Sequence, residues 1–413
     1  MSGMVVVSQL GARMHYAVPR ILASEGQLAH FYTDICATNS WPRLINSLPR
    51  TVLPSSLTRL IGRVPKGVAP SLTSTFPTFG VISAIRRLRL KNVVEQTRHA
   101  VWAGSHFSEL VASSGFHGAA GLYAFSGDAL EQMQAAKALG MWTAVEQMIA
   151  PREVVEELVQ AEQLSFPDWA GKYEMNRYAQ AFAAREKAEW ELADVIVCPS
   201  EFVRRNVIAC GGPSGRCVVV PYGIDSQFKD NKPNRTDGPL RVLTVGEVGL
   251  RKGSPYVAEA ARLLGSAAHF RMAGPTILPT EVRKNLSALV ELRGIVPRTD
   301  MPEEYRWADV FLLPSVCEGS ATAIYEALAA GLPVICTENA GSVVRDGIDG
   351  FIVPVRDSNA IAEALFQLSA NAAHRIAMSN HARERAADFT VKRYGERLMG
   401  VLTSLARKQV PSG

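Results

Sequence analysis

Two glutamates, Glu318 and Glu326, stand eight residues apart in Pro314-Ser-Val-Cys-Glu318-Gly-Ser-Ala-Thr-Ala-Ile-Tyr-Glu326-Ala-Leu-Ala-Ala-Gly331. The apolar run that ends at Pro314 predicts a buried strand. The Ala- and Leu-rich stretch after Gly319 stops at Gly331, shortly before Pro333, and predicts a helix. One acid therefore sits in the loop at the mouth of a helix and the other nearly two turns inside it. The amides of Gly319, Ser320 and Ala321 are expected to be unpaired at the helix start, where the macrodipole favours an anion. At about 1.5 Å per residue the carboxylates lie roughly 10–12 Å apart along the axis. A diphosphate flanked by two sugars has that span. Ionised carboxylates only accept hydrogen bonds, so Glu318 suits hexose hydroxyls and Glu326 suits ribose hydroxyls. Taken without their flanks, two glutamates at this spacing equally describe a solvated helix face.

Other chemistry-bearing residues also follow predicted strands. Gly246-Glu-Val-Gly-Leu-Arg251-Lys252-Gly253 puts two adjacent cations on a glycine-bounded loop, a bidentate fork beside a point charge, suited to a diphosphate. The same cations suit the charge that develops on a leaving nucleotide. Glu146 ends a predicted strand at Trp142–Val145 and reads as a base, an acceptor ligand or a salt-bridge partner. His15, near a helix start, reads as structural or as an acceptor contact. The chain has neither a Gly-x-Gly-x-x-Gly fingerprint nor a P-loop, which speaks against a dinucleotide oxidoreductase. It also lacks Asp-x-Asp, so no metal site and no metal-bridged diphosphate is expected, and no cofactor beyond the co-substrate is implied.

Short apolar runs alternate with helical patterns almost throughout, which predicts an α/β fold with parallel sheets. Strands are expected at Val5–Val7, Gly121–Phe125, Val195–Cys198 and Val218–Val220 in the first half. In the second half they are expected at Arg241–Gly246, His269–Ala273, Leu292–Ile295, Val310–Leu313, Val334–Cys336 and Phe351–Val353. Helices are expected at Tyr16–Glu25, Asp128–Leu139 and about Ala179–Leu192. The Asn-, Pro- and Asp-rich stretch 229–239 reads as a linker. The division that follows is 1–228, linker 229–239, 240–389, and a last helix within 390–413. In doubly wound sheets a ligand sits beyond the carboxyl ends of the strands, here in the cleft between two domains.

The chain has 413 residues, 47% hydrophobic and 20% charged, as for a globular protein of two domains. No apolar run reaches the ~18–20 residues of a membrane helix. The N-terminal segment reads as a first strand and not as a signal peptide. Six scattered cysteines without a Cys-x-x-Cys pair read as buried thiols of a reducing cytosol. Between Cys36 and Val94 there are nine Lys and Arg and no acid, which leaves about −4 for the rest of a chain of net charge +5. Val81-Ile-Ser-Ala-Ile85-Arg-Arg-Leu-Arg89 is expected to form a basic amphipathic helix. The region reads as a surface for an anionic membrane or a lipid-diphosphate acceptor, or as a basic insertion without a partner. No nucleic-acid-binding signature accompanies it.

The strand, Pro-Ser, Glu-Gly, Ala-rich helix and Gly-Leu-Pro-Val-Ile sequence around Glu318 and Glu326 resembles retaining glycosyltransferase family 4, of the GT-B fold. The resemblance implies two doubly wound, Rossmann-like domains facing across a cleft, with the C-terminal helix crossing back onto the first. It implies transfer of a hexosyl group from a nucleoside-diphosphate sugar to an acceptor hydroxyl of a glycan or lipid-linked partner. Configuration would be retained, in surface-glycan assembly on the cytoplasmic side of a cell membrane. Catalytic roles would fall to Glu318, Lys252 and Arg251. Donor contacts would fall to Gly319, Ser320, Ala321, Glu326 and Gly274. Acceptor contacts would fall to Gly11, Arg13, His15 and Glu146. Gly294-Ile-Val-Pro297 would touch the base. The chain departs from the family pattern in three places. Glu247 occupies the usual Arg position of the Lys252-Gly253 loop. Glu146-Gln147 stands where many members carry a histidine. Ala340-Gly341-Ser342 replaces the usual Gly-x-Pro-Glu. A GT-B nucleotide-sugar epimerase and a non-catalytic donor-binding partner are the alternatives.

Overall fold

The computed structural model describes residues 3–38, 62–90, 92–170, 175–224, 228 and 237–408. Most of the expected linker (229–236), Asp225, and Arg43, Arg50, Arg59 and Lys91 of the basic region lie outside the described residues. The first half forms strands β1 (Val5–Gln9), β2 (Leu28–Thr33), β3 (Thr73–Thr75), β4 (Gly121–Phe125), β5 (Trp142–Glu146), β6 (Val195–Cys198) and β7 (Cys217–Val219). They make one sheet in the order β3-β2-β1-β4-β5-β6-β7, parallel throughout. The second half forms β8 (Leu240–Val245), β9 (Ala268–Ala273), β10 (Val290–Gly294), β11 (Val310–Leu313), β12 (Val334–Thr337) and β13 (Gly350–Val353). These lie in the order β10-β9-β8-β11-β12-β13, again all parallel.

Strands buried on both faces read as continuous apolar runs, because alternate side chains enter different cores. Val5 and Val7 join one hydrophobic cluster while Val6 joins another. In β11, Phe311 and Leu313 face the first of these clusters, and Val310 and Leu312 face a third. The cluster that holds Val5 and Phe311 is continuous between the two sheets through Tyr222, Phe389 and Tyr394.

The last helix, Val391–Lys408, crosses to the first domain. The Ile224 amide donates to the Phe389 carbonyl at 2.9 Å, and the Arg397 guanidinium donates to the Pro221 carbonyl at 3.0 Å. Tyr394 and Leu398 are buried in the shared core. The doubly wound, two-domain expectation with a returning C-terminal helix is therefore what the structure shows.

Some elements differ from the sequence reading. The strand expected at Leu292–Ile295 begins at Val290. β2 and β3 were not expected, nor were the long helices Val93–Ser114 and Arg152–Ser165. The basic helix expected from Val81 runs over Pro77–Leu88. Five of the six cysteines are buried, Cys210 is half-buried, and all are unpaired.

Candidate active site

The carboxyl ends of the strands in both sheets open onto one cleft of about 730 Å³ between the domains. Beyond β8, the single turn Leu250–Lys252 places both cations at its rim. Arg251 Nη1 donates to Glu318 Oε1 at 2.5 Å, and Lys252 Nζ lies 2.8 Å from the same oxygen. The loop is fixed from the other side as well: Arg251 Nη1 also donates to the Cys317 carbonyl at 3.1 Å, and the Val316 amide to the Arg251 carbonyl at 2.9 Å. One carboxylate thus holds two cations, and the cluster keeps a net positive charge toward the cleft. Glu247 is exposed and is not among the residues that line the cleft.

The helix after Glu318 begins at Thr322, later than the sequence suggested. The Ala321 amide, expected to be unpaired, donates to the Ala340 carbonyl at 3.1 Å. The Ser320 hydroxyl is engaged by Tyr325 at 2.6 Å and by the Gly341 carbonyl at 2.9 Å. Among the described residues the Thr322 and Ala323 amides have no protein acceptor, and both residues line the cleft. The Gly319 and Ser320 amides likewise have no protein acceptor among the described residues, so of the three amides expected to be unpaired only that of Ala321 is tied. The loop before the helix is tied to the neighbouring Asn339–Gly341 segment, where the Glu318 amide donates to the Asn339 carbonyl at 2.9 Å.

Gly319 is required by contact between the domains. A Cβ there would lie 1.8 Å from the Met148 carbonyl oxygen, in the loop beyond β5. The Ser200 hydroxyl of the first domain donates to the Gly319 carbonyl at 2.5 Å. Gly274, at the end of β9, also lines the cleft, and a Cβ on it would fall 1.8 Å from the Gly246 carbonyl oxygen.

Glu326 is buried yet reaches the cleft. Its Oε2 accepts from the Tyr305 hydroxyl at 2.8 Å, and its Oε1 accepts from Arg298 Nη1 at 3.4 Å. Burial pushes its carboxyl above the ordinary glutamate value, while Tyr305 and Arg298 pull it back toward ionisation. A carboxylate has about four acceptor sites, so these two hydrogen bonds leave two open. The sequence reading missed both partners. Arg298 directly follows Gly294-Ile-Val-Pro297, of which Ile295 and Val296 line the cleft, and that adjacency was the available signal.

The first domain contributes Arg13, Met14, Glu146, Met148, Ile149 and Tyr222 to the cleft. Glu146 ends β5 in a buried position, neither free base nor salt bridge. Its Oε2 accepts from Tyr123 at 2.6 Å and its Oε1 from Tyr222 at 2.7 Å. Desolvation raises its pKa, opposed by these two hydroxyls and by the charge of Arg13. Arg13 is carried by a loop in which Met14, His15 and Tyr16 all have positive φ, at 46°, 50° and 60°. Such non-glycine residues cost on the order of 1 kcal/mol or more each and persist only where the surroundings hold them. Tyr16 is held by full burial against Phe31. Gly11 and His15 do not line the cleft. The Gly11 amide donates to Asp34 Oδ1 at 3.2 Å, Gly11 lines a neighbouring cavity that also carries Ser83 and Arg87, and the His15 side chain is exposed.

Comparison with known proteins finds its family match in the second domain. Residues 239–371, which carry β8 through β13, match the family described as glycosyl transferases group 1. The chain is 29% identical over 187 residues to the amylovoran biosynthesis glycosyltransferase AmsK of Erwinia amylovora, covering 41% of this chain and 46% of that protein. It is 28% identical over 172 residues to the UDP-Gal:alpha-D-GlcNAc-diphosphoundecaprenol alpha-1,3-galactosyltransferase of Escherichia coli, covering 37% and 44%. The chain thus spans just under half the length of these curated relatives. HepE of Anabaena, solved in complex with UDP, shares the fold with a TM-score of 0.63 over 97% of this chain and 100% of that one, at 14% identity. Sucrose-phosphate synthase of Thermosynechococcus elongatus does so at 0.64 over 98% and 99%, with 17% identity. The family match is thus confined to residues 239–371, and the two-domain fold is that of these solved structures.

Proposed function

We propose that this protein moves a hexosyl group from a nucleoside-diphosphate sugar to an acceptor hydroxyl, with retention of configuration, in the assembly of a surface polysaccharide or glycolipid. The observation that carries the reading is the arrangement of Arg251, Lys252 and Glu318 opposite two unpaired helix-start amides, with Glu326 further along the same helix. Cations and amide donors converge where a diphosphate would lie. Glu326 then accepts from the ribose hydroxyls, with Tyr305 and Arg298 fixing its rotamer. Glu318 accepts from the hexose. Gly274 lets the donor approach the backbone beyond β9.

The reaction breaks the bond between the anomeric carbon and the β-phosphate oxygen and forms one to the acceptor oxygen on the same face. The acceptor proton passes to the departing phosphate oxygen. Arg251 and Lys252 stabilise the negative charge that grows on that phosphate, the point at which fixed cations matter most. Arg13 and Glu146 stand on the acceptor side of the cleft. Peripheral contact with an anionic membrane through segment 36–94, on the cytoplasmic side, belongs to the same reading. One relative is named for amylovoran biosynthesis, and another for galactosyl transfer from UDP-Gal to alpha-D-GlcNAc-diphosphoundecaprenol.

The test is incubation of the purified protein with a panel of nucleoside-diphosphate sugars, reading nucleotide release and, by NMR, the anomeric configuration of the product. Release from one donor with a retained anomer is expected. An inverted product would remove the same-face step. Donor binding with no turnover on any acceptor would favour a non-catalytic donor-binding partner. Isomerised sugar with no acceptor added would favour an epimerase.

A further inference from the structure

Three cavities lie in a row from the cleft to the outer surface of the first domain. The cleft shares Arg13, Met148 and Ile149 with a second cavity of about 260 Å³. That one shares Leu10 and Ala100 with a third of about 500 Å³. The inner cavity is polar in a way that suits a sugar: Ser126, Asp128, Gln147 and Glu186 line it together with Arg13 and Arg152. Asp128 is buried, and its Oδ1 has no hydrogen-bond partner. A buried acceptor left unpaired costs free energy that a ligand hydroxyl would recover.

The outer cavity has a different chemistry. Its polar side chains are Ser83, Arg87, Gln96 and His99, with no acid among them. Arg87 Nη2 donates to the Ser83 hydroxyl at 3.3 Å, and His99 Nε2 meets the same hydroxyl at 3.2 Å. Arg87 lies in the last turn of the helix Pro77–Leu88 beside Arg86, whose guanidinium stacks 3.7 Å above the Trp102 ring. The outward side of that helix exposes Val81, Ile82, Ile85 and Leu88, the last by 88%. Four exposed aliphatic side chains on a helix without a single acid do not describe an ordinary solvated face.

We propose that this row of cavities is the acceptor track for a lipid-linked sugar phosphate. The sugar fills the inner cavity beside Asp128, the phosphate or diphosphate sits at Arg87, and the lipid leaves over the aliphatic face of Pro77–Leu88 at the membrane surface. The proposal rests on the glycosyltransferase reading and names its acceptor class. Polar, cationic and apolar surfaces follow one another in the order sugar, phosphate, lipid, and the inner cavity meets the cleft at Arg13.

The test is calorimetric binding of farnesyl diphosphate, with inorganic diphosphate as the control without lipid. Binding to the unaltered protein is expected to weaken about tenfold in Arg87→Ala, the loss of one charge-assisted contact. It should persist in Lys252→Ala, because the main cleft is not where this probe binds. Ile82→Ser combined with Ile85→Ser should weaken farnesyl diphosphate and leave inorganic diphosphate unaltered. Absence of binding, or binding lost in Lys252→Ala and kept in Arg87→Ala, would overturn the track. A donor panel without activity, with this binding pattern intact, would instead count against the donor reading alone.

Discussion

The two sides of the cleft are built on different physical plans. On the second-domain side, charged groups are paired over short distances and carried by turns directly beyond strands: Arg251 and Lys252 on Glu318, Arg298 on Glu326. On the first-domain side, the acid that lines the cleft is buried and satisfied by neutral donors. Glu146 has its two tyrosines. Glu189, which does not line the cleft, accepts likewise from the Gly127 and Ala129 amides at 2.8 and 3.0 Å. Arg13 stands exposed on a strained loop. Paired cations over an open cleft are ready to exchange a carboxylate for a phosphate, as binding of a fixed anionic group requires. Buried neutral-donor networks set a shape instead, and shape is what an acceptor side uses to choose among polyols.

The largest effect that separates the two sides is expected from Lys252→Ala. Removing a fixed cation from a developing charge should lower turnover by about 10²–10³, with thermal stability almost unaltered. Steady-state kinetics with the active donor reads this, and wild-type turnover in the variant would place the developing charge elsewhere. Gly319→Ala comes next, because it attacks the contact between the sides. The added Cβ would lie 1.8 Å from the Met148 carbonyl, so the domains must separate locally. A stability loss of about 1–3 kcal/mol is expected in urea unfolding, together with weakened donor binding.

Tyr222→Phe should act on the first-domain side only. It takes one donor from a buried carboxylate and should cost about 1–3 kcal/mol of stability, while donor affinity stays within twofold. Equal damage to donor affinity would blur the distinction between the two sides.

The smallest effect concerns pH. Burial raises the Asp128 carboxyl to about 7 and the Glu189 carboxyl to about 8. Unfolded carboxyls titrate near about 4. The folded chain therefore holds protons that the unfolded chain has released, and stability contributed by these groups is full below about pH 4 and falls as pH rises through about 8. Urea unfolding at a series of pH values should show a shallower decline toward alkaline pH in Glu189→Gln than in wild type. Parallel curves would mean that Arg185, 3.5 Å away, keeps the group ionised.

The same contrast explains what was legible in the sequence. Strands such as Val310–Leu313 and Val195–Cys198 read correctly because burial on both faces leaves an unbroken apolar run closed by a turn signal. β2 escaped because His30 interrupts Leu28–Thr33, and β3 because three residues of Thr and Ser carry no apolar signal. Arg251 and Lys252 were visible because they adjoin a strand end. The groups that complete Glu326 were not: Tyr305 and Arg298 lie 21 and 28 residues away and meet it only in the fold. The start of the helix at Thr322 had no local signal either, since the loop before it is tied to Asn339–Gly341, remote in sequence.

The central claim is that a nucleoside-diphosphate sugar is held along the helix from Thr322, with Glu326 on its ribose. Calorimetric titration of the donor panel into wild type and Glu326→Ala tests it most directly. The account predicts one nucleotide family binding the wild type and a loss of about tenfold or more in the variant, the cost of a charge-assisted hydrogen bond. Equal affinity in the two proteins, or no donor bound by the wild type, would contradict it.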